Sequence, residues 1–248
     1  MYAQEHIKPY SNTDSKKNQV ENMFNNIAHS YDRLNHLLSF GVDRKWRKSA
    51  LDYLQKQCNP SIILDVATGT GDFAILANKK LNPQKIVGID SSEKMLELAR
   101  TKVASANLSD IIHFRQEDCK NLSFNDNHFD AIITSFALRN FEDLDVCLSE
   151  MYRVLRPGGM IVAIDLCSPL RPPMRQLFWC YKKILMPTIG HTISHDKKAY
   201  SYLPDTMDAV PQGKEMMDIF SKAGFKDVYS KRLTFQMCML YSGKKNHH

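Results

Sequence analysis

The sequence predicts an α/β fold, a doubly wound and mostly parallel sheet with helices on both faces. Three observations carry that prediction. Short, almost wholly apolar runs alternate with amphipathic stretches from Ser61 onward, the pattern of strands buried on both faces. The links between them are short, so successive strands are joined through helices. The run LDVATGTGD, Leu64 to Asp72, passes from an apolar strand through a small-residue turn into a helix. Ligands of such sheets sit beyond the carboxyl ends of the strands.

Each element follows from local pattern. The start, residues 1–17, is polar and reads as a flexible arm ahead of a single domain spanning 18–248. Residues 18–57 read as a helical cover, with Val20, Met23, Phe24, Ile27 and Tyr31 at three- and four-residue spacing. Strands are expected at Ser61–Ala67, Lys85–Asp90, Ile111–Gln116, Phe129–Phe136 and Met160–Asp165. Helices are expected at Asp72–Lys80, after a Ser91 or Ser92 cap, and at Leu144–Leu155, which stops at Arg156-Pro157-Gly158-Gly159. Residues 170–210 break the alternation and read as an inserted helical cover. A helix near Gly213–Ala223 and strands near Lys226–Leu233 and Phe235–Tyr241 close the domain, the short Thr234 link implying an antiparallel last strand.

Composition narrows the partners. A length of 248 residues with 43% hydrophobic residues supports one large core. The net charge of +6 comes without a dense basic stripe, which argues against nucleic acid and suits an anionic surface or an acidic ligand. No apolar run is long enough to span a bilayer, and the start lacks a signal-peptide core. The six cysteines are scattered, and none forms a C-x-x-C pair. That reads as reduced thiols in a cytoplasmic protein with no zinc site.

The glycine turn names the ligand class. Its backbone N–H groups open a helix and can meet polar ligand atoms. Asp90 ends the second strand 19 residues after Gly71, where an acid accepts hydrogen bonds from ribose hydroxyls. Two ligands compete, a nicotinamide dinucleotide and a nucleoside such as S-adenosylmethionine. Ala74 stands at the third position of the dinucleotide pattern, so spacing leaves both open. Asp72, beside the helix N-terminus, would repel a pyrophosphate. Asp65, inside the strand end, can hold the turn and lie near a cationic amino-acid moiety.

The same residues resemble class I S-adenosylmethionine-dependent methyltransferases: D-x-x-T-G-T-G-D, then G-I-D, then Asp118 after the third strand. That resemblance implies a Rossmann-like sheet of seven strands. It puts Gly69, Thr70 and Gly71 beside the methionine part, Asp90 on the ribose, Asp118 and Cys119 around the adenine, and Ser135 beside the sulfonium. Further stretches narrow it: MFNNIAHSYDRLNHLLSFGVDRKWRK, SFALRNFEDL, EMYRVLRPGG and DKKAYSYLPDTMDAVP resemble the UbiE/MenG family of quinone-biosynthesis C-methyltransferases. The likeness runs from about Val20 to Gly243. It departs at Phe235-Gln236 and Tyr241, where many members carry a Gly-Gly pair and a His.

The family resemblance implies methylation of a ring carbon of a polyprenylated quinol, demethylmenaquinol first and a ubiquinone precursor as the alternative. Other readings are another small aromatic or lipid acceptor, a nicotinamide-dependent oxidoreductase, and a non-catalytic cofactor-binding subunit. Arg139 and Asn140 follow the fourth strand at the catalytic end. Arg139 is expected to stabilise a phenolate, Asn140 to orient the ring hydroxyl or a water, and Tyr31 to hydrogen-bond Arg139. The bland alternative pairs Arg139 with Glu142 or Asp143. Asp43, Arg44, Lys45 and Arg47 read as a solvated helix face. His29 and His36 are undecided, and His191 and His195 read as solvated loop. Gln176–Gly190 is aromatic-rich. Arg171, Arg175, Lys182 and Lys183 could meet anionic headgroups there while Phe178, Trp179 and Ile184 enter lipid. A peripheral membrane contact and a homodimer are the partners expected beyond the substrate.

Overall fold

The computed structural model describes residues 1–10, 13–169, 171–185 and 197–246, with only the backbone described for 184, 185 and 197–201. Two helices come first, α1 (Lys16–Leu38) and α2 (Asp43–Gln57). Then follow β1 (Ile62–Val66), α3 (Asp72–Leu81), β2 (Lys85–Asp90), α4 (Glu93–Ser105), β3 (Ile112–Gln116), β4 (Phe129–Ser135), α5 (Leu144–Val154) and β5 (Leu155–Leu166). The remainder is α6 (Met174–Cys180), α7 (Lys197–Ala209), α8 (Lys214–Lys222), β6 (Lys226–Leu233) and β7 (Cys238–Lys244). The sheet has seven strands in the order β3-β2-β1-β4-β5-β7-β6. β7 runs antiparallel to both neighbours, as its short link to β6 implied. The order reverses between β1 and β4, which places the ligand crevice at their carboxyl ends.

Alternation along each strand builds the two faces. Leu64, Val87, Ile132 and Ile161 pack with α5 and α8 through Leu148, Met151 and Phe220. Ile63, Ile86, Ile133 and Val162 face the other way, onto α2 and α3 through Leu51, Leu54, Phe73 and Ala77. All of these are below 6% exposed, and full burial of each large aliphatic stabilises by roughly 1.5–3 kcal/mol. The helices start where the sequence supplies caps. Ser15, Ser92 and Asp143 each accept from a backbone N–H in the first turn of α1, α4 and α5.

Three expectations change. The arm expected to be flexible packs onto the domain. Gln4 and Lys16 are fully buried, the Glu5 carboxylate accepts from the Leu144 N–H at 2.8 Å, and Lys16 Nζ donates to the Gln4 and Arg139 carbonyls. A carboxylate on the N-terminus of α5 also meets the positive end of its dipole. Second, β5 begins at Leu155, directly after α5. It runs through the Pro-Gly-Gly stretch with a register shift against β4. Third, Thr234–Gln236 forms a tight turn with positive φ at all three residues, so β7 starts at Cys238 and not at Phe235.

Candidate active site

Two cavities meet at the end of β4. The first opens beyond β1 and β2 under α1, with about 840 Å³ of empty space that includes its open mouth. Gly69, Asp90, Asp118, Cys119, Ser135 and Asn140 line it, together with Tyr31 from α1. The turn that shapes it needs glycine. Gly71 has φ +82°, and a Cβ there would meet the Phe114 ring at 3.0 Å and Ala99 Cβ at 3.2 Å.

Asp90 is held by two backbone donors, Gly69 N–H at 2.8 Å and Ser92 N–H at 2.9 Å. Desolvation raises its pKa, and those bonds act against the rise. Asp65 is fully buried at the base of the turn. Its Oδ2 accepts from the Thr68 hydroxyl at 2.6 Å, its Oδ1 has no partner, and burial pushes its pKa up to about 7. Thr70 and Gly71 shape the turn without lining the cavity. The Thr70 hydroxyl donates to Asp32 at 2.6 Å and accepts from Lys102 at 2.8 Å. Asp118 pairs with Lys17 at 2.8 Å, and beside it the Cys119 thiol, raised by burial, contacts Cys147. The Ser135 hydroxyl receives Arg47 Nε at 3.4 Å.

Helix α1 lies across this cavity as a lid with polar ties along its length. They are Lys17 to Asp118, Asn25 to the Ser92 hydroxyl at 2.7 Å, and Asp32 to both Thr70 and Lys102. Tyr31 sits on the lid with Phe24 edge-on at 5.7 Å. Burial raises the pKa of the Tyr31 hydroxyl. Its hydrogen-bond partner is Asn35, and the charges of Arg139 and Arg47 lie near.

The second cavity is apolar, about 930 Å³ of empty space, walled by Leu38, Trp46, Leu177, Phe178, Met207 and Met237. Phe136 lines both cavities and carries φ +63°. Arg139 lines this second cavity, whereas Asn140 and Tyr31, expected with it, line the first. It is buried and pairs with Asp165, neither with Glu142 nor with Asp143. Its Nη1 also donates to the Phe136 carbonyl at 2.8 Å, while its Nε is buried with no partner. Asn140 donates to the same carbonyl at 3.2 Å and accepts from the Tyr202 hydroxyl.

One residue of this cavity and its ion-pair partner escaped sequence reasoning. Asp43 and Arg47, expected on a solvated face, are 1% and 6% exposed, whereas Arg44 and Lys45 are exposed as expected. Asp43 lines the cavity and receives Arg47 Nη1 at 2.7 Å, the Ser39 hydroxyl at 2.8 Å and His36 Nδ1 at 3.0 Å. The available signal was spacing: positions 43, 46, 47, 50 and 54 form one helical stripe, and Trp46, Ala50 and Leu54 are apolar. A charge on that stripe is a charge in the interior. His29 is exposed, and His191 and His195 lie outside the described residues. Phe178, expected in lipid, is buried on the cavity wall, and Lys182, expected at headgroups, bonds to Ser168 and Asp208.

A model described as the ubiE/COQ5 methyltransferase family matches residues 12–245. The chain belongs to that family. It is an S-adenosyl-L-methionine-dependent C-methyltransferase of quinone biosynthesis. It is 54% identical to a demethylmenaquinone methyltransferase of Bacteroides fragilis over 98% of this chain and 99% of that one. Among solved structures it resembles the [4+2]-cyclase SpnF, with a TM-score of 0.66, 15% identity, and coverage of 94% and 97%. It also resembles phosphoethanolamine N-methyltransferase 2 of Haemonchus contortus bound to S-adenosyl-L-methionine, with a TM-score of 0.60, 15% identity, and coverage of 80% and 52%. Those two likenesses concern the fold, which hosts cyclisation and methylation alike.

The residues present fit this cofactor. The orphaned Asp65 Oδ1 and the Asp90 carboxylate suit a cationic nucleoside with free hydroxyls. Asp72 in the first turn of α3 opposes a pyrophosphate there, which accounts for the failure of the dinucleotide reading.

Proposed function

We propose that this family member methylates a ring carbon of demethylmenaquinol, the acceptor class printed in the names of its relatives. The observation that carries the reading is the meeting of the two cavities at Phe136, with buried Arg139 lining the apolar one. S-adenosylmethionine supplies a methyl group already activated on a sulfonium, so the protein has to position and stabilise. In this reading Gly69 meets the methionine part, Thr70 and Gly71 shape the turn behind it, and Asp65 lies near its ammonium. Asp90 takes the ribose, Asp118 and Cys119 flank the adenine, and Ser135 lies by the sulfonium. Trp46 and Phe178 hold the ring in line for transfer.

An arginine does not take a proton, because its pKa exceeds ~12. The Arg139 guanidinium instead stabilises negative charge developing on the ring oxygen. Its pairing with Asp165 fixes the guanidinium plane. Asn140 orients the second oxygen or a water, and Tyr31 closes the lid over the reacting centre. The acceptor must be reduced: losing a phenolic proton pushes electron density onto the adjacent carbon, whereas an oxidised ring is electron-poor.

The prenyl chain leaves through the mouth of the apolar cavity. Phe40, Leu177 and Trp179 are 57–70% exposed around α6 and the end of α1, with Arg171, Arg175 and Lys183 exposed nearby. That combination suits a peripheral contact with the inner face of an anionic membrane. Among the described residues no helix is long and apolar enough to cross one. A labelled-methyl assay on short-chain naphthoquinols and benzoquinols, reduced against oxidised, tests the whole. Turnover of reduced naphthoquinol alone is the expected result, and equal rates on the oxidised form overturn it. Liposome co-sedimentation with and without anionic lipid tests the contact; loss of binding without anionic lipid is expected, and no binding to either refutes it.

A further inference from the structure

The apolar cavity holds three ionisable side chains among its described lining residues, Asp43, Arg139 and Tyr181. A phenolic proton must go to one of them or to water. Arg139 is cationic and salt-bridged. The Tyr181 hydroxyl donates its own proton to the Leu38 carbonyl, and burial drives its pKa far upward. Asp43 is therefore the only carboxylate among those described residues.

Its surroundings prepare it as an acceptor. An ionised carboxylate offers about four acceptor positions. Three are filled, by Arg47 Nη1, the Ser39 hydroxyl and His36 Nδ1. Arg44 Nη2 lies 3.4 Å from His36 Nε2 and can only donate. In the neutral imidazole that places the proton on Nδ1, pointing at Asp43. The same His36 thus orients the carboxylate without competing for a proton.

We propose that Asp43 is the proton acceptor for the ring hydroxyl adjacent to the methylated carbon, a role that rests on the quinol reading above. As the ring carbon bonds to the methyl group and the methyl–sulfur bond breaks, the O–H electron pair moves into the ring and its proton passes to Asp43. The ring carbon then carries both hydrogen and methyl. Loss of that C–H proton to water restores aromaticity, and Asp43 returns its proton to the same oxygen. One ring hydrogen leaves as a proton and one methyl replaces it, so Asp43 ends as it began. Burial raises the Asp43 pKa, but the bonds from His36 and Ser39 and the charge of Arg47 outweigh it and hold the group below the ordinary value. Asp43 is therefore ionised, and as a weak base it takes the proton only as the O–H electron pair moves into the ring. Position carries the proposal; Arg139 lines the same cavity and Arg47 bonds to Asp43, and both charges favour the ionised oxygen on either partner.

The test compares Asp43→Asn and His36→Gln with the unaltered enzyme on reduced naphthoquinols of graded hydroxyl acidity, including halogenated ones. General-base loss predicts a kcat drop of roughly 10²-fold for Asp43→Asn on the least acidic acceptor, shrinking below ~10-fold on the most acidic. Cofactor affinity by calorimetry should stay unchanged. His36→Gln, which leaves the Asp43–Arg47 pair intact, should lose less with the same acceptor dependence. A loss equal across the series, or none, overturns the proposal. If Asp43→Asn fails to fold, His36→Gln decides on the same criterion. An unaltered enzyme that binds cofactor yet methylates no quinol retires the quinol reading and this one together. Normal turnover by the unaltered enzyme with no change in either variant retires this one alone.

Discussion

The two cavities are built on different plans. The cofactor side is assembled from the ends of consecutive strands, and its lid is tied by ion pairs and hydroxyls: Lys17 to Asp118, Asn25 to Ser92, Asp32 to Lys102. The acceptor side is assembled from distant pieces. The turn between α1 and α2, the end of β4, α6, α7 and the turn before β7 each contribute one to three side chains. The first plan fixes atoms by backbone geometry and gives a precise polar grip. The second fixes a shape by packing and leaves a greasy slot flanked by two buried ion pairs, Arg139–Asp165 and Asp43–Arg47. One site grips a constant ligand and the other admits a long apolar one.

That contrast is sharpest in a crossed pair of variants. Arg139→Ala should lower turnover by on the order of 10³-fold, as for loss of an oxyanion donor, with cofactor affinity near normal. It also strands buried Asp165, so a lowered melting temperature is expected beside the kinetic loss. Asp90→Asn should do the reverse, weakening the cofactor by roughly 10–10²-fold through loss of charge-assisted bonds. Binding of a short-chain quinol, read by fluorescence of Trp46 on the cavity wall, should be unchanged. Cofactor affinity that falls with Arg139→Ala, or quinol affinity that falls with Asp90→Asn, would merge the two cavities into one cooperative site.

Legibility followed the same division. Gly69, Asp90 and Asp118 could be read because each ends a strand whose apolar pattern is continuous, and strand order then fixes which ends converge. Arg139 could be read as catalytic-end, but not its partner: Asp165 lies 26 residues on and meets it only because β4 and β5 pair in register. Asp43 and Arg47 were missed because a cluster of four charges looks solvated until it is placed on the stripe of Trp46 and Ala50. The arm was misread because polar composition predicts solvation, whereas Glu5 and Lys16 are consumed by backbone groups of Leu144 and Arg139.

Asp65 separates the cavities by pH. Burial raises its pKa to about 7 in the folded state, above its ordinary value. The stability this contributes is full at pH below about 4 and is lost as pH rises through about 7. The free protein should therefore lose stability across that window. Cofactor affinity should move oppositely, strengthening by on the order of tenfold from pH 6 to 8 as Asp65 ionises opposite a cation. Asp65→Asn should flatten both trends, and quinol binding should show neither. An affinity that is level from pH 6 to 8 would mean that Asp65 only braces the turn.

The smallest effect tests the lid. Lys17 and Asp118 are 37% and 30% exposed, so their pair is screened and its contribution is at most about 1 kcal/mol. Lys17→Ala should weaken the cofactor by no more than about fivefold, and the remaining salt dependence of binding should shrink with it. The ties from Asn25 and Asp32 lie further along α1 and hold the helix without Lys17. A loss much greater than tenfold would mean that the ties act together and that α1 opens as a unit. The cofactor side would then depend on a moving helix as much as on its strand ends. An intact affinity would instead place the grip in the β1 and β2 termini, where the backbone already holds Asp90.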